Sequence, residues 1–170
     1  MILLNGGGRV KVPEFACGQT PPAAGSNYLQ GMAPRNQLLD MFRDHPEGAV
    51  LFATRSFWAG VDIPGEALSL VIIDKLPFAP FQDPVVAHRG RRIRKAGGNP
   101  FMEYLLPEAV LALKQGVGRL IRAETDRGVM AILDSRLLTK RYGSQVIASL
   151  PRAKRTHRFE DVATFFGEDK

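Results

Sequence analysis

The chain has 170 residues, 45% of them hydrophobic, enough for one compact domain with a real core. Its 23 basic and 17 acidic residues give a net charge of +6, a sign that favours an anionic partner without identifying one. A single cysteine, Cys17, excludes an internal disulfide and a cysteine-held metal cluster and predicts a reducing, cytoplasmic setting. No apolar stretch approaches the roughly 20 residues a membrane helix needs, so no membrane partner is expected.

Residues 1–34 are broken by Gly6, Gly7, Gly8, Pro13, Pro21, Pro22, Gly25 and Pro34. They predict an irregular or truncated segment with one short strand, and the domain proper is expected over 35–170. A helix is predicted over 34–43, with Leu38, Leu39 and Phe42 on one face. Glu47-Gly48 makes a turn, and AVLFA at 49–53 is a short buried strand. A loop follows over 54–66. LSLVIID at 68–74 is an apolar run expected to be buried on both faces, as in a parallel sheet. A proline-punctuated segment leads to a basic helix over 85–95, with Gly90 inside it and Gly97-Gly98 ending it. A longer helical stretch covers 101–123, interrupted near Pro107, which suits a first turn. VMAIL at 129–133 is a buried strand closed by Asp134. Residues 136–150 read as helical with a break at Gly143. A basic link over 152–158 precedes a last helix over 159–166. Strands alternating with helices predict an α/β domain with a mainly parallel sheet.

Two segments carry chemistry. The first is QGVGRLIR, 115–122. On a helical wheel Arg119 falls about 40° and Arg122 about −20° from Gln115, so the three share one narrow face. Val110, Leu113, Val117, Leu120 and Ile121 take the opposite side, with Leu111 on the polar side. An ordinary amphipathic helix with a solvated stripe would show the same pattern. Gly116 and Gly118 argue for more. Each costs about 1 kcal/mol relative to alanine inside a helix, and glycine beside arginine lets another surface approach the backbone. Arginine's planar, permanently charged fork suits phosphate oxygens and the charge that develops in phosphoryl transfer.

The second is TRSFWAGVDIPG, 54–65, at the C-terminal end of a predicted strand, where open α/β sheets bind ligands. Thr54 and Ser56 offer hydroxyls to a nucleic-acid phosphate. Asp62 can accept from a ribose hydroxyl, and Trp58 can stack on a base. Phe57 and Trp58 read equally as core aromatics, and Asp62 as a turn residue. The basic helix, with Arg89 and Arg92, could follow a DNA backbone or be solvated surface charge. His45, His88 and His157 lack metal-ligand spacing.

QGVGRLIR resembles motif VI of superfamily 2 helicases in its Q-x-x-G-R-x-x-R form. TRSFWAGVDIPG resembles motif V, with Thr54, Gly60 and Asp62 at that motif's threonine, glycine and aspartate. LPFAPFQDP (76–84) and DSRLLTKRYG (134–143) are similar to stretches of the DinG/XPD-like DNA helicases of bacterial DinG type. The resemblance covers about 29–166. Ala59 departs from it, standing where these loops often carry an acidic residue. The resemblance implies a RecA-like (P-loop NTPase-type) second motor domain, its mainly parallel sheet flanked by helices and its N-terminal part incomplete. It implies that Arg119 and Arg122 are arginine fingers with Gln115 at the same cleft, and that Gly60, Asp62 and Gly118 lie at the nucleotide. It further implies ATP with Mg2+ held mainly by a first motor domain, single-stranded or forked DNA as partner, and 5′→3′ movement.

No G-x-x-x-x-G-K-[ST] loop occurs in these residues, so nothing in them cradles ATP phosphates, and the 170 residues alone are expected to be inactive. Relatives often hold an iron–sulfur cluster on four cysteines, and Cys17 alone cannot. Two further readings stay open: a non-catalytic basic α/β module that binds nucleic acid, and a small domain binding another phosphorylated ligand at the 54–65 loop.

Overall fold

The computed structural model describes residues 2–4, 26–45, 48–54, 57, 68–121 and 126–167, with backbone alone for 2–4, 26 and 119. A five-stranded sheet runs in the order β2-β3-β1-β4-β5. Its strands are β1 (Ile2–Leu4), β2 (Ser26–Leu29), β3 (Ala49–Phe52), β4 (Leu70–Ile73) and β5 (Val129–Ile132). β2 pairs parallel with β3, and β4 with β5. β1 lies antiparallel between β3 and β4, so the other four strands share one direction. The sheet is mainly parallel, as the α/β reading requires. The N-terminal segment contributes two strands rather than one: β1 sits at the centre and β2 at an edge beside β3.

Alternation along the strands makes two apolar faces. Leu51, Val71 and Ile73 point into the main core with Leu38 and Phe42 of α1 (Arg35–Arg43) and with Leu106, Leu113 and Leu120. Leu70 and Ile72 face the other way, against Val50, Val129, Ala131 and Phe166. Burying side chains such as Leu38, Phe42 and Leu113 contributes about 1.5–3 kcal/mol each.

The basic helix α2 (Pro84–Lys95) starts with three local signals. Asp83 accepts from the N–H groups of Val85 and Val86, and Pro84 takes the first turn. It ends in a Schellman motif: Gly97, at φ +83°, donates to Arg94 O and Gly98 donates to Ile93 O. Gly90 does not break it. The stretch around Pro107 is not an interruption either. A π-turn (Phe101–Leu105) runs directly into α3 (Leu106–Leu120). Leu106 N–H donates five residues back to Phe101 O, and Pro107, with no N–H, cannot serve Glu103 O. Asn99 starts this helix by accepting from Phe101 and Met102 while Glu103 accepts from Asn99 N–H. The expected break at Gly143 is real and separates α4 (Arg136–Thr139) from α5 (Gly143–Ser149); α6 (Phe159–Gly167) closes the chain.

Candidate nucleotide and nucleic-acid interface

α3 presents two contrasting faces. Leu113, Val117 and Leu120 are buried, while Leu111 and Gln115 are exposed. Gly116 is buried and Gly118 exposed, and a Cβ added to Gly118 would meet nothing within 4 Å. No neighbour within the described residues therefore requires glycine at 118. Its backbone is open to an approaching surface, and Arg119 lies one residue on.

The helical projection holds only as far as Leu120. Ile121 is already extended, at φ −121° and ψ 111°, and is 41% exposed rather than in the core. Leu120 packs closely on Gly128, just before β5: its Cδ1 lies 2.5 Å from where a Cβ on Gly128 would stand. Arg122 itself lies outside the described residues, as do Ser56, Trp58, Ala59, Gly60 and Asp62.

Thr54 lies just past β3, exposed. Its N–H and its hydroxyl both donate to Gln30 Oε1, at 2.7 and 2.9 Å. Phe57 is buried, as its core reading expects. Its N–H donates to Thr54 O. Arg35 holds it from α1: Nη2 donates to Phe57 O at 3.0 Å, and the guanidinium sits 5.1 Å from the ring centroid. Thr54 and Phe57 are thus held by the side chains of Gln30, just after β2, and Arg35, on α1.

A second cluster was not legible as such in the sequence. Asp134, 8% exposed, follows β5 and accepts from Leu76 N–H at 2.8 Å, beyond the end of β4. It also accepts from Arg136 N–H at 3.0 Å and from its guanidinium at 2.5 to 3.0 Å. The hydrogen bonds from Arg136, joined by the backbone N–H groups, hold the Asp134 carboxyl well below the usual carboxylate range although burial opposes this; Asp134 in turn pushes Arg136 up. The Arg136 guanidinium stacks on Phe78, 5.3 Å from its centroid, and Phe78, Phe101 and Tyr142 form a ring cluster at 5.1 to 6.0 Å. The stretches 76–84 and 134–143 therefore meet. Because β3, β4 and β5 are parallel, Thr54, Leu76 and Asp134 all leave the sheet at its C-terminal edge. The end of α3 instead lies beside the start of β5, so the two motif segments are not brought together within the described residues.

On α2, Arg89 and Arg92 are both exposed but differ in setting. The Arg89 guanidinium lies 5.1 Å from the Tyr104 centroid, while Arg92 takes part in no ion pair among the described residues. Among the described residues no group of three or more metal-ligating side chains comes together, and no helix is long and apolar enough to cross a membrane. An iron–sulfur cluster does not fit, since the chain's donor set has the single thiol of Cys17.

A family model described as the helicase C-terminal domain matches residues 21–153, a span that includes β2. The chain is 50% identical over 140 residues to the ATP-dependent DNA helicase YoaA of Haemophilus influenzae, covering 82% of this chain and 22% of that protein. It is 54% identical over 137 residues to the YoaA of Escherichia coli, covering 81% and 21%. It is 54% identical over 101 residues to the ATP-dependent helicase DinG of Mycobacterium tuberculosis, covering 59% and 15%. The chain thus spans about a fifth of the length of the YoaA relatives it matches. With a mainly parallel α/β sheet and a match over most of its length, the chain belongs to the helicase C-terminal domain family.

Proposed function

We propose that the chain works as the second motor domain of an ATP-dependent DNA helicase moving 5′→3′ on single-stranded or forked DNA in the cytoplasm. ATP is the substrate, bound with Mg2+ mainly by a first motor domain. Arg119 and Arg122 reach across to its phosphates and stabilise the charge that develops during phosphoryl transfer. Gln115 and Gly118 line the same approach, and Gly60 and Asp62 of the loop after β3 contact the nucleotide. Thr54 and Ser56 hold a DNA phosphate, with further phosphate contacts from Arg92 on α2. Residues 35–170 form the body of the domain, to which β2 adds an edge strand. Any iron–sulfur cluster in a longer protein is held elsewhere.

The observation that carries this reading is the open face of α3, where Gln115 and the bare backbone of Gly118 stand exposed opposite a fully packed apolar face. The test mixes this chain with the first motor domain of a DinG-type relative and measures DNA-stimulated ATP hydrolysis. Turnover is expected from the pair and not from this chain alone. Arg119→Ala is expected to abolish it with the fold intact, and unchanged turnover in that variant would sink the arginine-finger assignment. A second reading, a non-catalytic DNA-binding module, draws on the cations of α2, none of which forms an ion pair among the described residues. It predicts DNA binding with no stimulated turnover in the same mixture.

A further inference from the structure

α2 carries Arg89, Arg91, Arg92, Arg94 and Lys95 with His88 and no carboxylate of its own. Among the described residues none of these cations forms an ion pair, whereas Arg43, Arg136 and Arg158 do. Like charges three and four residues apart on a helix destabilise it by about 0.2–0.5 kcal/mol per pair, and the favourable helix C-terminus offsets only part of that. The helix nevertheless forms, held by its caps and by Val86 in the core.

The cations are not equivalent. On a wheel centred on His88, Arg91 lies at about −60°, Lys95 at about −20° and Arg92 at about +40°. The inward residues Val86, Gly90 and Ile93 lie roughly opposite, between about 140° and 200°. Arg89, at about 100°, is turned to the side and occupied by Tyr104. His88, Arg91, Arg92 and Lys95 are all exposed and span about 10 Å along the helix axis, the axial length of about three phosphates of one DNA strand.

We propose that His88, Arg91, Arg92 and Lys95 form a phosphate track for the DNA backbone, and that Arg89 is a structural residue that anchors α2 to the π-turn. This rests on the reading of the chain as a DNA-acting domain, and it divides the cations of α2 differently from a uniformly basic helix. The track neutralises phosphates without reading bases, so its signature is salt dependence.

The test measures binding of this chain to a fluorescent oligothymidine and to a duplex of equal length across a salt series. Replacing Arg91, Arg92 and Lys95 together by glutamine is expected to reduce the slope of log affinity against log salt by about 2 on the single strand, or by nearly 3 on the duplex. Single-strand affinity at 0.1 M salt falls by roughly 100-fold on the same relation. The ratio of the two slope changes tells which DNA form lies on the track. A charge-preserving triple variant (Arg91→Lys, Arg92→Lys, Lys95→Arg) keeps the slope and separates charge from folding. Arg89→Gln lowers the melting temperature and leaves the slope unchanged. An unaltered slope in the glutamine triple variant overturns the track, and a slope lost in Arg89→Gln overturns the division. Wild-type chain that binds neither DNA overturns the DNA reading itself, and equal binding to polyglutamate overturns the choice of partner.

Discussion

One carboxylate, Asp134, ties the segment after β4 to the segment after β5 through Leu76 N–H and the whole fork of Arg136. Because Asp134 is buried, replacing it by asparagine leaves donors poorly matched, at a cost of about 2–3 kcal/mol at pH 7. Its folded pKa is depressed, so its contribution is complete above the ordinary carboxylate value of about 3.9 and is lost as pH falls towards the folded value. Urea unfolding should therefore show wild type well above Asp134→Asn at pH 7, with the gap narrowing below about pH 4. A gap that widens in acid would contradict the assignment.

Gly143 opens α5 against the backbone of α4. A Cβ there would run into Leu137 O and stand 2.6 Å from Leu137 C and 2.9 Å from its Cα. Backbone cannot step aside as a flexible side chain can. Gly143→Ala should cost roughly 3 kcal/mol, a fall of about 6–12 °C in melting temperature for a chain of this size. Scanning calorimetry checks this, and Gly118→Ala, inside α3 with open space among the described residues, is the comparison, expected to gain up to about 1 kcal/mol.

Arg35 grips Phe57 twice, by a hydrogen bond to its carbonyl and by stacking on its ring. Arg35→Ala should destabilise by about 2–3 kcal/mol. Lysine should recover less than half, since it cannot both stack and donate from a planar fork. A double-mutant cycle with Phe57→Leu isolates the stacking part, and a coupling near zero would assign the whole effect to the carbonyl.

Asp83 is the side-chain cap of α2. Asp83→Ala should cost about 1 kcal/mol and raise amide exchange mainly in the first turn of α2. Uniform exchange across the domain would mean that the cap acts on global stability instead.

Much of this fold was legible because β3, β4 and β5 are apolar runs between turn residues, and because the amphipathic stripes of α1 and α3 keep their period. β1 was not, since three apolar residues carry no period and their partners lie some 50 and 70 positions away in the register. The continuity of the helix through Pro107 was missed because a proline after a π-turn carries the same letters as a proline starting a helix. At the candidate site, the open face at Gln115 and Gly118 follows from helical periodicity. The helix itself ends at Leu120, with Ile121 already extended, an end point that a wheel does not contain. Asp134 read only as a strand terminator, and its partner Leu76 is 58 residues distant.

The central position of β1 makes the two parallel pairs of this sheet depend on three residues hydrogen-bonded along both edges. If β1 slips out, β3 and β4 present facing unpaired edges, a ready template for an extended segment from another molecule. Anything that filled that place would have to satisfy both edges at once, in the middle of the sheet rather than at its rim.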